Sequence, residues 1–385
     1  MWYSTSRRSF LKQAAITGAG ASFLGMNLLP NLFKANNEDV APLDILILGG
    51  TSFLGPHQIA YALERGHRIT TFTRGKTKPT VHPDLFDNVE MLIGDRVDNL
   101  EALKNRKWDV VIDNSGRQVD WTKRTAELLK DQVPLYVYIS SVSVYYPYYT
   151  IDVKEAAPLV MEHPSDMEDG EKPLYDFGVM KANSERVTRE IYGEDQSIII
   201  RPTFMTGPGD RTDRFMYWPI QLAKGGDILV PGKKADNIQF IDIRDIAGWM
   251  IRLIENKATG TYNGAGPKMV SNIAQYVTEG SKAFDQEITP VHIDDYDFLE
   301  KEGISFIAPW IAPSPKFAGI GKVNIDKALA TGITYRPVAE TIKDTHDWWY
   351  SDAVSAERRS KFEDNPNGII KSAPEVIKKW KSLKK

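Results

Sequence analysis

The stretch Asp44-Ile45-Leu46-Ile47-Leu48-Gly49-Gly50-Thr51-Ser52-Phe53-Leu54-Gly55 decides the fold of this 385-residue chain. Its aliphatic run shows no polar alternation and reads as a strand buried on both faces. After the glycines, Ile59, Ala60 and Leu63 fall on one helical face and Gly66 supplies a stop, so a helix is predicted over 57–65. A second β-rich run is predicted as a strand over 69–73. Residues 43–74 therefore make a strand, a turn, a helix and a strand, the opening unit of a doubly wound parallel sheet.

The turn carries chemistry as well as shape. Gly49 permits the tight bend, the amides of Thr51, Ser52, Phe53, Leu54 and Gly55 can face a diphosphate at the helix N-terminus, and Gly55 lets helix and strand pack closely. A glycine string alone is weak evidence; set between a strand and a helix it points to a bound dinucleotide. The second strand ends in Thr73-Arg74-Gly75. An acidic residue there would hold the ribose hydroxyls of NAD, whereas arginine pairs with the extra phosphate of NADP, so Arg74 favours NADP over NAD. Stacking on adenine and simple solvation remain open to Arg74.

Working outward, strands are predicted at 89–93, 110–113, 135–140 and 197–200, separated by helices such as 121–130 and 179–192. This alternation extends the α/β pattern into a Rossmann-type domain over residues 41–202 and 236–262. Residues 203–235 and 263–345, richer in Pro, Gly and aromatics, are expected to form a smaller substrate-binding lobe, and 346–385 a C-terminal helical tail. In the lobe, Arg214, Tyr217 and Trp218 lie in the cluster Asp210-Arg211-Thr212-Asp213-Arg214-Phe215-Met216-Tyr217-Trp218. Forked arginines and an aromatic platform suit a sugar, and a salt-bridged lobe junction would use the same residues.

Composition narrows the function classes. Acidic residues number 51 against 48 basic ones, a net charge of −3, which gives no global field for nucleic acid. The chain has no cysteine, and its six histidines show no metal-ligand spacing, so no metal site is expected. The basic end around Lys378, Lys379, Lys381, Lys384 and Lys385 reads as a solvated helix end.

Residues 1–40 hold Ser6-Arg7-Arg8-Ser9-Phe10-Leu11-Lys12 followed by a weakly apolar run to Phe33. They resemble a twin-arginine signal, which implies the Tat translocase as a partner and a periplasmic location, membrane-associated if the signal stays uncleaved. Such substrates cross the membrane folded, which suits a protein that must collect its nucleotide in the cytoplasm.

Nearly the whole chain after this segment resembles the extended short-chain dehydrogenase/reductase superfamily, the NAD-dependent epimerase/dehydratase type, in its branch with a GGTxFLG fingerprint. The matching residues include the glycine turn, Gly94-Asp95-Arg96, the stretch 109–116, Tyr138-Ile139-Ser140-Ser141, Arg201-Pro202, Gly207-Pro208-Gly209-Asp210, the stretch 240–245 and Tyr335-Arg336-Pro337. Ser52 stands where the superfamily commonly has glycine. The resemblance implies that Asp95 and Arg96 lie on the adenine side of the cofactor, and Asn114 and Ser115 on the ribose and nicotinamide side. A homodimer is a family-level expectation.

In this family a Ser or Thr, a Tyr and a Lys act together, the lysine lowering the phenol's pKa. The resemblance places Ser141 and Lys181 in two of these roles, with Lys181 also beside the cofactor. The tyrosine position is Phe177, so ordinary ketone reduction is in question. Tyr175, two residues upstream, is one candidate for a substitute phenol; Asp176, Tyr145, Tyr146 and Lys181 itself are candidate bases, and a substrate with an already acidic centre would need only hydride transfer. The leading expectation is an exported NAD(P)-binding epimerase or dehydratase acting on a sugar or related polyol, its cofactor held through a redox-neutral turnover. The alternative is a noncatalytic nucleotide-binding protein related to the stem-loop RNA-binding members of the same branch.

Overall fold

The computed structural model describes residues 40–267 and 270–384. The twin-arginine segment lies outside the described residues. The first half of the chain runs β1 (Asp44–Leu48), α1 (Leu54–Glu64), β2 (Arg68–Thr73), β3 (Glu90–Ile93), β4 (Val110–Asp113), α2 (Val119–Leu129), β5 (Leu135–Ile139), α3 (Lys172–Tyr192) and β6 (Ser197–Pro202). Then follow β7 (Phe204–Thr206), α4 (Tyr217–Lys224), β8 (Gly226–Pro231), β9 (Phe240–Asp242), α5 (Ile243–Glu255) and β10 (Gly260–Gly264). The chain ends with α6 (Ile273–Ser281), β11 (Ile288–Ile293), α7 (Tyr296–Lys301), β12 (Phe306–Ile307), β13 (Trp310–Ile311), α8 (Asp326–Ala330), α9 (Val338–Trp349), α10 (Ala356–Glu363) and α11 (Ile369–Leu383).

Seven parallel strands form the central sheet in the order β3-β2-β1-β4-β5-β6-β10, with Ile45 opposite both Ile69 and Val110. The α/β doubly wound sheet is thus present, and the winding direction reverses between β1 and β4, the crevice where such sheets bind ligands. Strand periodicity sends Ile45 and Ile47 to one face, packed with Ile59 and Ala62 of α1 and Ile246 of α5. Leu46 and Leu48 pack on the other with Ala126 and Leu129 of α2 and Tyr192 of α3.

One local difference from the sequence reading matters. Helix α3 starts at Lys172 rather than 179, with Pro173 in its first turn, where its missing N–H costs nothing. Tyr175, Asp176 and Phe177 therefore share a helix with Lys181. Residues 346–385 hold the end of α9 together with α10 and α11, and they pack on the lobe. Ala373, Val376, Ile377 and Trp380 of α11 enter the same core as Leu229 of β8 and Ile293 of β11, and Trp380 Nε1 donates to the His292 carbonyl at 3.1 Å. Burial of that apolar stripe binds the last helix to the lobe, while Lys379, Lys381 and Lys384 pair with Glu302, Asp227 and Asp294.

Candidate functional site

The glycine turn sits at the C-terminal end of β1 and opens α1. Gly49 has φ +96°, a conformation that favours glycine. A Cβ on Gly55 would lie 2.3 Å from the Gly50 carbonyl oxygen, so only glycine lets the first turn of α1 ride on the strand end. Phe53, the residue before the helix, has φ 39° and caps it with no side-chain hydrogen bond, and among the described residues the amides of Thr51, Ser52 and Phe53 have no backbone acceptor. Free amides at a helix start, beside a close glycine approach, are what a dinucleotide diphosphate requires.

Across the crevice, β4 ends in Asp113, and Asn114 and Ser115 follow beside the turn. A Cβ on Gly49 would touch the Ser115 Cβ at 3.0 Å. Asn114 Nδ2 donates to Gln58 Oε1 at 2.6 Å, and its Oδ1 is a buried acceptor without a partner in the described residues, poised to receive a ligand hydroxyl.

Arg96 does not offer itself to adenine. It is buried, donates to both carboxylate oxygens of Asp113 at 2.5 and 2.8 Å, and reaches Ser115 Oγ and the Trp121 carbonyl. Burial would raise the Asp113 carboxyl, but the charge and hydrogen bonds of Arg96, helped by Tyr136, hold it below the usual carboxylate range. A sealed carboxylate needs that counter-charge, which is why Arg96 turns inward. Asp95 caps its own turn, accepting from the Val97 amide at 2.9 Å. Arg74 is exposed at the end of β2.

A second group of candidate residues gathers where β4 and β5 end. Lys181 is buried on α3, and its Nζ donates to the carbonyls of Ile139 at 2.7 Å and Gly116 at 3.3 Å, tying the two strand ends together. Burial pushes its ammonium down to about 8, against the pull of Asp113. The ring of Phe177, one turn earlier on the helix, is 5.9 Å from that nitrogen. Tyr175 is not brought there. Two residues before Phe177 it points roughly 200° around the helix, and its buried ring packs 4.7 Å from Tyr146.

The other sequence candidates are engaged elsewhere. Tyr145 donates to Asn263 Oδ1 at 2.9 Å and accepts from Arg201, Tyr146 donates to Glu171, and Asp176 pairs with Lys172 and His163 on the surface. Ser141 caps the short turn after β5, accepting from the Ser143 amide at 3.1 Å while its hydroxyl lies 3.0 Å from Ser143 Oγ. Tyr148 donates to the same Ser143 oxygen at 3.4 Å.

In the lobe, Tyr217 and Trp218 form core rather than a substrate platform. Both are sealed, and their polar ends are satisfied by the carbonyls of Leu229 at 2.7 Å and Ala308 at 2.8 Å. Burying large aromatics whose single donor finds a carbonyl outweighs leaving them exposed on a surface. Arg214 stays partly open, its guanidinium 5.4 Å from the Phe204 ring.

Residues the sequence reading passed over also meet here. A cavity of about 160 Å³ opens beside Thr51, Ser52 and Phe53 and is lined by Lys76, Lys78, Arg211 and Arg358, but not by Arg74. The alternating basic residues after β2 were a visible signal; the contributions of Arg211 and Arg358 arise only in the fold. His57 Nε2, which donates to the Pro208 carbonyl at 2.9 Å, pins the Gly207-Pro208-Gly209 turn over α1.

A model of the NAD dependent epimerase/dehydratase family matches residues 45–265. The chain is 24% identical over 278 residues to the chloroplast stem-loop binding protein of 41 kDa b from Arabidopsis thaliana, covering 68% of this chain and 69% of that protein. Among solved structures it resembles a UDP-N-acetylglucosamine 4-epimerase from Methanobrevibacter ruminantium in complex with UDP-N-acetylmuramic acid. The TM-score is 0.57 at 17% identity over 80% of this chain and 98% of that one. The human epimerase family protein SDR39U1 with NADPH superposes at a TM-score of 0.53, 18% identical over 79% of this chain and 99% of that one. These structures share the fold, and the family match spans the sheet, the glycine turn and the helix that carries Lys181. The chain belongs to the NAD dependent epimerase/dehydratase family.

Proposed function

We propose that the protein is an exported NAD(P)-dependent epimerase or dehydratase that acts on a sugar or related polyol and keeps its cofactor through a redox-neutral turnover. The observation that carries this reading is the pairing of amides without acceptors at the glycine turn, where α1 opens, with a buried lysine at the β4 and β5 ends. Structural neighbours in complex with UDP-sugars support the substrate class. When bound, the nicotinamide exchanges a hydride with a carbinol carbon. The chain must then take and return the hydroxyl proton.

Phe177 cannot do that. Lys181 donates to two carbonyls, which suits the protonated form, and the hydroxyls of Ser141 and Ser143, 3.0 Å apart, are left to position a substrate oxygen. Export rests on Arg7 and Arg8. It favours cofactor retention, because a folded protein outside the cytoplasm meets no soluble nicotinamide pool.

The test is to purify the full chain from the cell envelope, denature it and identify any released nucleotide by mass spectrometry. Stoichiometric NAD(P) is expected, together with deuterium exchange into a UDP-sugar. Protein that carries no nucleotide, and whose fluorescence does not respond to added NADH or NADPH, overturns the reading. A second reading, a noncatalytic nucleotide-binding protein, is favoured by Phe177 and by the similarity to the chloroplast protein. It predicts retained nucleotide with no exchange into any sugar.

A further inference from the structure

We propose that the cavity beside the glycine turn is a phosphate-monoester pocket that takes the 2′-phosphate of NADP, with walls from the turn, the segment after β2, the β7 to α4 loop and α10. The proposal rests on the reading that a nicotinamide dinucleotide occupies the glycine turn.

Position is the first argument. The cavity touches Thr51 and Ser52 and the residues that leave the C-terminal end of β2. In a doubly wound sheet the adenosine ribose of a dinucleotide lies at that strand end.

Charge is the second. Lys76, Lys78, Arg211 and Arg358 converge on about 160 Å³, and no carboxylate lines the space. Among the described residues Arg358 is offset by Asp213, whereas Lys76, Lys78 and Arg211 enter no ion pair. Like charges gathered without a counter-ion repel each other, and a dianion relieves this. An NAD site would place a carboxylate here to accept from the ribose hydroxyls, and the pocket offers none. The diphosphate does not account for the cluster either, because the amides at the start of α1 already suit it. A terminal phosphate, with three oxygens and nearly two negative charges, matches cations supplemented by the hydroxyls of Thr51, Ser52 and Thr77.

Rigidity is the third. Arg358 is held by Asp213, donates to the Asp210 carbonyl at 2.6 Å, and lies over the rings of Trp348 and Trp349 at 5.3 and 5.5 Å. Trp348 in turn donates to the Thr80 carbonyl at 3.2 Å, joining α9 to the segment that carries Lys76 and Lys78. The far wall is therefore fixed in place by chain beyond residues 45–265, the part the family shares.

The test compares binding of NADPH with NADH, and of 2′,5′-ADP with ADP, by fluorescence and calorimetry on the full chain and on Lys78→Gln, Arg211→Gln and their double variant. Both side chains are exposed, so circular dichroism should be unchanged. Wild type is expected to release NADP(H) on denaturation and to favour NADPH and 2′,5′-ADP by at least about tenfold. The double variant should lose most of that preference while its Kd for NADH stays the same. Equal weakening of NADH and NADPH would place the cations on the diphosphate and overturn the pocket. Wild-type binding of NADH and NADPH with equal affinity also overturns it, yet leaves the parent reading standing. Binding of neither dinucleotide overturns the parent reading and the pocket with it.

Discussion

Phe177 stands one helical turn before Lys181 on α3, its ring 45% exposed and 5.9 Å from an ammonium that is sealed from solvent. A hydroxyl added to that ring would put a phenol near a buried cation, the arrangement that lowers a phenol's pKa. Phe177→Tyr should therefore raise hydrogen exchange into a UDP-sugar by about 10²-fold, the lower range for a positioned general acid or base. Mass spectrometry of the sugar after incubation in D₂O measures it. An unchanged rate would show that the missing phenol is not what limits the chemistry.

The glycine turn makes a prediction about binding. Gly55→Ala puts a methyl 2.3 Å from the Gly50 oxygen, and backbone stands on both sides of the contact. Neither side can yield without moving α1 off β1. Thermal unfolding should show a loss of about 1–3 kcal/mol, and titration with NADPH should show lost binding. Gly170→Ala, where a Cβ meets nothing within 4 Å, is the matched control and should behave as wild type.

How far the sequence could be read depended on the range of the interaction. The sheet is legible because uninterrupted aliphatic runs such as 45–48 need no partner to declare themselves, and the positive φ of Gly49 and the contact of Gly55 with Gly50 are demands made within seven residues. The start of α3 is harder to see in the sequence because Lys172 and Pro173 give a weaker start signal than the apolar periodicity after 179. Arg96 and Trp218 show a common limit of the sequence. Each carries a polar group that looks available in one dimension, and each is satisfied by a partner distant in the chain, Asp113 for one and the Ala308 carbonyl for the other. The cationic cavity was illegible because Arg211 and Arg358 reach it from segments separated by the whole lobe.

Arg96 yields a prediction of stability. Asp113 is sealed, so Arg96→Met leaves a buried carboxylate without its counter-charge, at a cost of about 3–5 kcal/mol. In the wild type the depressed Asp113 pKa contributes stability above the ordinary carboxylate range, lost as pH falls through the folded value. Without Arg96 burial dominates, the folded pKa rises above the unfolded one, and the variant should become relatively more stable on acidification. Adding Asp113→Asn should recover part of the loss. Urea unfolding of the two single variants and the double at pH 4 and 7 checks both statements. A double variant less stable than Arg96→Met alone would overturn the account.

Lys181 allows the sign of a pH effect to be worked through. Its ordinary pKa is 10.5 and burial brings it to about 8 in the folded chain. Below about 8 both states hold the proton, and the folded state bears the full penalty of a buried charge. Between about 8 and 10.5 the unfolded chain binds a proton that the folded chain releases, so stability rises with pH. The gain across that window is on the order of 3 kcal/mol. Lys181→Met removes the titration while keeping a flexible apolar stem, so the difference in unfolding free energy, wild type minus variant, should climb from pH 8 to pH 10.5. Other groups that titrate in this range, the tyrosines above all, are present in both proteins and cancel in the difference. A difference that stays flat would mean that the amine beside Phe177 is solvated rather than buried, and the Ile139 and Gly116 carbonyls would then need another donor.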